Sequence, residues 1–164
     1  MLTTWRIDAF SHAFNRASNH QILKVNPFMA GLQAGSPTPT ALTVHSQSRI
    51  LEIVFSDGVE FKIPFELMRV YSPSAEVQGH GPGQEILQTG KREVNVVELE
   101  PIGNYAVKPV FSDGHESGIF SWDYLYHLGS EQDRLWADYN RRLLEAGAKR
   151  DAPMLAAGGR VCGS

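Results

Sequence analysis

Residues 51–63, Leu-Glu-Ile-Val-Phe-Ser-Asp-Gly-Val-Glu-Phe-Lys-Ile, are the stretch that decides the fold. Apolar side chains alternate along both of its ends, which is the period of a half-buried β-strand. The Ser-Asp-Gly at 56–58 supplies the turn between them, so the stretch predicts a β-hairpin. Pro64 follows, and because proline is tolerated at the start of a helix, residues 65–70 are expected to form a short helical turn.

The hairpin pattern returns 56 residues further along, where Phe-Ser-Asp-Gly occurs at 111–114 after its first occurrence at 55–58. The second copy begins with strand patterns at 94–100 and 105–111. A short aromatic helix is expected to end it at 122–128. The self-similarity predicts an internal duplication of hairpin plus helical turn, in which Ile119 corresponds to Ile63. Pro109 has no amide proton to donate, which predicts that its strand lies at a sheet edge or a bulge.

The predicted fold class is α+β: a small, mostly antiparallel sheet from two repeated hairpins, short helical turns and a C-terminal amphipathic helix. That helix is expected over 131–147, with Ser130 as its N-cap and Gly147 as its end. The core domain is expected over 41–130, and a disordered tail rich in Ala and Gly over 148–164.

Residues 1–40 are expected to be a leader and a Pro-rich linker rather than part of the domain. Apolar residues stand at helical spacing over 2–17, and three interpretations stay open. The segment is a mis-called start with Met29 as the true first residue or a disordered leader, a short added helix, or a targeting segment.

Composition excludes several classes of protein. The chain has 15 Lys and Arg against 18 Asp and Glu, and this net charge of -3 argues against binding along a nucleic-acid backbone. No apolar run approaches the ~18 residues of a membrane span, and no segment reads as a secretory signal. Cys162 is the only cysteine, which excludes intramolecular disulfides and favours a reducing compartment. We expect a cytoplasmic protein that binds neither nucleic acid nor membrane.

Familiar catalytic motifs are missing from the sequence. Gly90-Lys91 resembles the end of a phosphate loop, but the Gly required five residues earlier is Glu85 and the following position is Arg92. Neither a dinucleotide fingerprint nor Gly-x-Ser-x-Gly occurs, and no His is followed two residues later by Asp or Glu. The sequence therefore offers no recognisable nucleophile, nucleotide loop or iron triad.

The strongest functional candidates lie in the Gly-rich segment 71–93 and in the second Asp-Gly turn. Long ordered loops are usually functional, whereas the alternative here is a flexible excursion with a helical turn at 84–88. His115 follows the turn beside Asp113, and a neutral imidazole near carboxylates could ligate a divalent metal. The alternative is a structural hydrogen bond across the hairpin. His80 is the second candidate ligand by sequence context.

Several motifs in fixed order resemble the gamma-butyrobetaine hydroxylase N-terminal-domain-like family over about 42–128. They are Phe-Ser-Asp-Gly at 55–58, Pro64 to Arg69, Ser72-Pro-Ser74, Gly103-Asn-Tyr105, Phe-Ser-Asp-Gly-His at 111–115, and Ser121-Trp-Asp-Tyr-Leu125. The resemblance implies a small strand-rich domain. Members precede the catalytic domain of gamma-butyrobetaine and trimethyllysine dioxygenases, accompany P-loop iron-sulfur carrier proteins in some chains, or stand alone in bacteria.

The resemblance also implies a zinc site, because in the hydroxylases this domain holds a structural zinc through three Cys and one His. The Cys positions fall here on Ser72, Ser74 and Val77, and the His position falls on His115. Three of the four ligands are lost, so the closed tetrahedral site cannot form. Residual binding of a divalent metal, iron or zinc, would need other donors, for which His80, Glu76 and Asp113 are the candidates.

Two functions follow as hypotheses. The first is a non-catalytic binding or adaptor domain with a protein partner, linked to iron or iron-sulfur proteins; an enzyme is less expected because no dioxygenase domain is present. The alternative is a metal-binding, oxidoreductase-associated protein that uses His115 and the 72–83 loop. Self-association through the Pro109 strand or the helix face at Trp136 is a further possibility. The expected binding residues are Arg69, Ser72, Ser74, Glu76, Gly79, Gly81, Gly83 and Asp113.

Overall fold

The structure, a computed structural model, describes residues 2–6, 36–79 and 85–152, with backbone only for 2–6. Seven strands and four helices follow one another in these ranges: β1 (Leu2–Arg6), β2 (Pro39–His45), β3 (Ile50–Phe55), β4 (Glu60–Pro64), α1 (Phe65–Val70), α2 (Ala75–Gln78), β5 (Val96–Ile102), β6 (Ala106–Phe111), β7 (Phe120–Ser121), α3 (Trp122–Ser130) and α4 (Gln132–Glu145).

The strands form two antiparallel sheets, ordered β1-β2-β3-β4 and β5-β6-β7. The predicted α+β class is confirmed, and each repeated hairpin builds its own sheet. The main core contains side chains of both sheets and of α1 and α3, and a smaller cluster packs Tyr139 and Leu143 of α4 against Val70. Burying one such large apolar side chain stabilises the fold by about 1.5–3 kcal/mol.

The helices predicted at 65–70, at 122–128 and at the C-terminal end are present, with a different boundary between the last two. Ser130, expected to cap the C-terminal helix, is instead the last residue of α3, and its hydroxyl donates to the carbonyl of His127 at 3.2 Å. Only Glu131 separates α3 from α4, so the N-cap position of α4 falls there. Gly147 has a φ of 61°, the left-handed conformation that ends a helix at glycine with little strain.

The second copy contains a one-residue insertion, which the constant offset of 56 residues did not reveal. In the first copy Leu51 pairs with Ile63, and in the second Val107 pairs with Phe120, so the offset grows from 56 to 57 residues across the turn. Ile63 and Phe120 are both fully buried, whereas Ile119 is 47% exposed. The correspondence of Ile119 with Ile63 was therefore wrong, because burial selects Phe120 as the equivalent.

Reciprocal contacts join the two copies. Arg69 on α1 donates to Asp113 in the second turn at 2.9 Å, and its equivalent on α3, Tyr126, donates to Asp57 in the first turn, also at 2.9 Å. Each copy therefore uses its helix to hold the turn of the other copy. This exchange fixes the second turn, and with it His115, against the end of α1.

Pro109 lies in β6, which is the middle strand of its sheet rather than an edge. The short β7 pairs only with Ala106 and Val107, so β6 has a neighbour on one side alone at Pro109. Because no second strand among the described residues pairs with β6 at Pro109, the missing amide proton is tolerated there, as it is in an edge strand.

Both ends of the described chain differ from expectation. Leu2–Arg6 is extended and pairs with β2, so helical structure is wrong for these five residues. Disorder is wrong for 148–152, where Ala148 donates to the carbonyl of Leu143 at 2.9 Å and Arg150 contacts Glu66. Met29 and Cys162 lie outside the described residues, and the predicted domain boundaries stay predictions.

Candidate functional site

The loop after α1 forms its helical turn earlier than expected. Ser74 has the extended conformation of an N-cap residue, and its carbonyl accepts from the amides of Val77 and Gln78 at 3.1 and 2.9 Å. The resulting helix, α2, ends at Gly79, which has a φ of 69°. The helical turn expected at 84–88 is wrong for 85–88, which have no helical structure.

His115 is the centre of a buried hydrogen-bonded group. Its Nε2 lies 2.8 Å from the hydroxyl of Ser72, and its Nδ1 lies 3.1 Å from a carboxylate oxygen of Glu76. The His115 side chain is only 2% exposed, whereas that of Glu76 is 71% exposed. We call Ser72, Glu76 and His115 the clamp, because they join the α1–α2 loop to the second turn.

The lowered pKa of His115 favours a neutral imidazole at neutral pH. Burial lowers its pKa below 6.5, and the guanidinium of Arg69 lowers it further, against the opposing carboxylates of Glu76 and Asp113. A carboxylate can only accept, so Nδ1 carries the proton and donates to Glu76. Nε2 is then the acceptor of the hydrogen bond that the Ser72 hydroxyl donates.

Asp113 forms a buried ion triplet beside the clamp. One of its carboxylate oxygens accepts from Arg69 Nε at 2.9 Å and from Lys91 Nζ at 2.5 Å, and the other accepts from the His115 amide at 3.3 Å. Burial opposes its ionisation, but the hydrogen bond from Lys91 and the charge of Arg69 hold the pKa of Asp113 below its usual value. Arg69 also donates to Gln88 at 3.2 Å.

Sequence reasoning identified most of these residues but missed Lys91 and Gln88. Lys91 stood out only as part of a broken phosphate-loop pattern, and nothing near it in the sequence indicates an acidic partner 22 residues away. The need of Asp113 for a cationic partner follows from its burial, which only the structure shows.

Ser, His and a carboxylate stand here in the order of a hydrolase triad. The geometry nevertheless blocks nucleophilic attack, since Ser72 is fully buried and Gly118 covers its hydroxyl. A Cβ built on Gly118 would lie 2.3 Å from Ser72 Oγ, which shows how closely the backbone approaches. A substrate carbonyl cannot reach the oxygen, so the three residues act as a structural cross-link.

The residues at the zinc-ligand positions do not fit a zinc ion. Both ring nitrogens of His115 are already engaged, and Val77, buried in α2, has no donor atom. The buried Ser74 hydroxyl has no hydrogen-bond partner among the described residues, and its amide donates to Ser72 at 3.4 Å. Within 36–79 and 85–152, no three His, Cys, Asp or Glu side chains group so that they could hold a metal.

The expected pairing of His115 with His80 stays a prediction, because His80, Gly81 and Gly83 lie outside the described residues. Gly79 is described and ends α2.

An open cleft of about 1000 Å³ lies beside the clamp, between the loop and the two last helices. Ser72 belongs to both, so the clamp holds one wall of the cleft in place. Tyr71, Tyr124, Leu135 and the 55% exposed Ile86 give the cleft an apolar surface. Its charged lining is balanced: Arg134, Arg141 and Arg142 against Glu85, Asp138 and Glu145.

The polar groups of the cleft are mostly engaged with one another. Arg141 contacts Asp138 at 2.5 Å and Glu145 at 2.8 Å. Burial and the carboxylate of Asp138 raise the pKa of Tyr71 to about 12, and burial raises the pKa of Tyr124 to about 12. Both phenols stay protonated at neutral pH, which makes them hydrogen-bonding surface rather than acid-base groups.

The polar clamp occurs at only one of the two equivalent junctions between the copies. At the other junction, Val59 of the first copy stands in place of His115 and Gly129 of the second copy in place of Ser72, and a cluster of three rings fills the space. Phe55, Phe61 and Tyr126 pack edge to face there, with ring centroids 4.9 to 6.0 Å apart. The fold can therefore close such a junction with apolar packing, so the clamp is specific to the junction between the α1–α2 loop and the second turn.

Fold and site together define a class: a small α+β domain made of two strand-hairpin-helix repeats, with a buried histidine clamp beside a cleft. The family model described as gamma-butyrobetaine hydroxylase-like, N-terminal, matches residues 42–126, and the chain belongs to this family. No helix in the described part of the chain is both long and apolar enough to cross a membrane.

The chain is also similar to solved structures. One NMR solution structure is 45% identical over 80% of this chain and 98% of its own, with a TM-score of 0.64. A second is also 45% identical, over 77% and 99%, with a TM-score of 0.63. A crystal structure of a DUF971 family protein of unknown function from Acidithiobacillus ferrooxidans is 40% identical over 57% and 94%, with a TM-score of 0.49. A comparison with curated proteins finds no match.

Proposed function

We propose that this protein is a non-catalytic binding module that takes a segment of a partner protein into the cleft. The observation that carries the proposal is the cleft itself: an open, partly apolar surface with one wall held by the buried clamp. A wall fixed before binding lowers the entropy lost on association.

The Ser and His of the clamp and the two tyrosines of the cleft are engaged in the folded protein. The Ser72 hydroxyl is covered by Gly118, both nitrogens of His115 are hydrogen-bonded, and the phenols of Tyr71 and Tyr124 hold their protons. These observations favour binding over turnover.

A protein segment suits the lining better than a nucleic acid does. Three Arg and three acidic side chains line the cleft together with its apolar residues, so the surface has no excess of positive charge for a phosphate backbone. The link to iron or iron-sulfur proteins is supported by the family resemblance alone and belongs to the proposal as the first class of partner to test.

Metal binding through His115 and the 72–83 loop is the alternative. It would require the imidazole to release Ser72 or Glu76 before a metal could bind. Metal analysis of protein purified without an affinity tag tests it: near-stoichiometric iron or zinc that disappears in His115→Ala would favour this alternative over the clamp.

Self-association stays a separate proposal. Pro109 pairs with Leu99 inside the sheet, and Trp136 lies beneath the guanidinium of Arg150, so both surfaces are partly occupied. Light scattering across a concentration series distinguishes a monomer from an oligomer.

Two matched variants test the binding proposal. Ile86 lies in the cleft and is 55% exposed, whereas Val97 lies on β5, outside the cleft lining, and is 66% exposed. Once a partner has been captured and purified, Ile86→Asp should weaken its binding about tenfold or more, because a buried apolar contact becomes a charge. Val97→Asp should leave the Kd unchanged. Equal effects of the two variants would contradict the proposed surface.

A further inference from the structure

Glu66 on α1 is a buried carboxylate whose described ionic partner comes from beyond α4. Arg150 donates from Nε to one carboxylate oxygen at 2.8 Å and from a terminal nitrogen to the other at 2.5 Å. The Glu66 side chain is 5% exposed, and the Arg150 side chain is 37% exposed. The pair has the two-pronged geometry that a planar guanidinium forms with a carboxylate.

An aromatic face completes this site. The guanidinium carbon of Arg150 lies 4.4 Å from the ring centroid of Trp136, and Tyr139 lies beside that ring with a centroid distance of 6.0 Å. A carboxylate fork next to an indole face selects a flat, delocalised cation over a compact ammonium. The groups therefore fit a guanidinium specifically.

The guanidinium is delivered by a peripheral segment, whereas the carboxylate and the ring belong to helices. Arg150 follows Gly147, where the helix has ended, and the next ion pair of this segment, Asp151 with Arg92, is exposed on both sides. The two side chains of that pair are 67% and 55% exposed, so it adds little to the hold on the segment.

We propose that Glu66 and Trp136 form a guanidinium-recognition site, that Arg150 is its intramolecular occupant, and that an arginine side chain of a partner peptide can take the place of Arg150. The segment around Arg150 then acts as a latch. A tethered occupant has an effective concentration near the millimolar range, so an external arginine competes poorly until the latch is released or removed. The site uses a different face of α4 from the cleft and does not depend on the proposed function.

Chemical rescue tests the proposal in the full-length chain. Arg150→Ala leaves Glu66 buried without its guanidinium, which should lower the Tm by roughly 5–10 °C. Millimolar methylguanidinium should then raise the Tm of this variant in a saturable way, while leaving the wild type unchanged or slightly lower. Methylammonium chloride at equal concentration should restore less, because it lacks the planar fork.

Two further variants control for charge and for general salt effects. Glu66→Gln combined with Arg150→Ala should be insensitive to methylguanidinium, because the carboxylate is gone. Lys108→Ala removes a cation that pairs with Glu100, outside the cleft and the Glu66 site, and should respond as the wild type does. If Arg150→Ala responds to methylguanidinium no more than the wild type or the double variant, the site is a fixed structural ion pair and the proposal is wrong.

If Arg150→Ala does not fold at all, refolding yield replaces Tm as the readout. Recovery of folded protein with methylguanidinium in the refolding buffer, and not with methylammonium, supports the proposal. Equal yields with the two cations contradict it.

Discussion

His115 shows how one side chain can hold a loop in place through two hydrogen bonds. A neutral imidazole between a hydroxyl and a carboxylate satisfies both of its nitrogens without a net buried charge. The exposed Glu76 contacts the ring at Nδ1, and the buried Ser72 contacts it at Nε2. The cross-link is therefore sensitive to the protonation of a single ring.

Acidification should weaken the folded state through this ring. Because the pKa of His115 is lowered on folding, the unfolded chain binds this proton at higher pH than the folded chain does. The contribution of the clamp is thus present above pH 6.5 and is lost as the pH falls from 6.5 through the lowered value. Urea unfolding between pH 7.5 and 5 should show the wild type losing stability faster than His115→Gln, by at most about 1.4 kcal/mol per pH unit. Parallel curves for the two proteins would rule out this role.

Gly118 is the second residue on which the clamp depends. Its φ is not in the left-handed region, so the cost of a side chain there is steric: a Cβ would lie 2.3 Å from Ser72 Oγ. We expect Gly118→Ala to destabilise the protein by about 1–3 kcal/mol in chemical denaturation. The same change should cost less in a Ser72→Ala background, which removes the clashing oxygen. If Gly118→Ala destabilises the protein equally in the Ser72→Ala background, the clash is with a group other than Ser72 Oγ.

At the scale of elements, the two halves share a plan but differ in chemistry. Arg69 and Tyr126 occupy equivalent helix positions and hold equivalent Asp residues, yet one contact is buried and ionic while the other is exposed and neutral. Removing the buried cation leaves Asp113 with Lys91 as its remaining ionic partner among the described residues. The two contacts should therefore contribute very different amounts to the free energy of unfolding.

Arg69→Met should cost about 3 kcal/mol, the lower end for breaking a buried ion pair, because Lys91 still contacts Asp113. Tyr126→Phe removes an exposed hydrogen bond and should leave the urea midpoint nearly unchanged. Comparison of the two midpoints checks the prediction, and similar losses in both variants would contradict it.

Many of the strands and helices could be predicted from local sequence patterns. The period-two alternation around each Ser-Asp-Gly and the apolar spacing of α4 gave the strands and helices correctly, because these signals lie within a few residues. The inserted residue before β7 and the separation into two sheets could not be predicted, since they depend on which side chains the assembled core buries. The helical spacing before residue 17 was misleading at Leu2–Arg6, where pairing with β2 overrides local preference.

The candidate site was predictable in its members more than in its arrangement. Arg69, Ser72, Glu76, Asp113 and His115 were proposed together, and the structure connects them through direct hydrogen bonds. Lys91 and the cleft required the tertiary structure, because residues far apart in sequence form them.

At the scale of the whole molecule, the clamp joins the stable core to the wall of the cleft. The polar atoms of the clamp satisfy one another, so the loop from Ser72 to Gly79 is held by hydrogen bonds. The central claim is that this hold depends on His115 and on no metal ion.

Amide hydrogen exchange at residues 77–79 of the untagged protein, with and without a chelator, tests that claim most directly. These amides donate to Ser74 and Ala75 within α2, so their exchange reports the opening of the loop. We predict equal exchange rates with and without the chelator, and faster exchange in His115→Ala. Faster exchange of the wild type in the chelator would contradict the account, because it would show that a bound metal holds the loop.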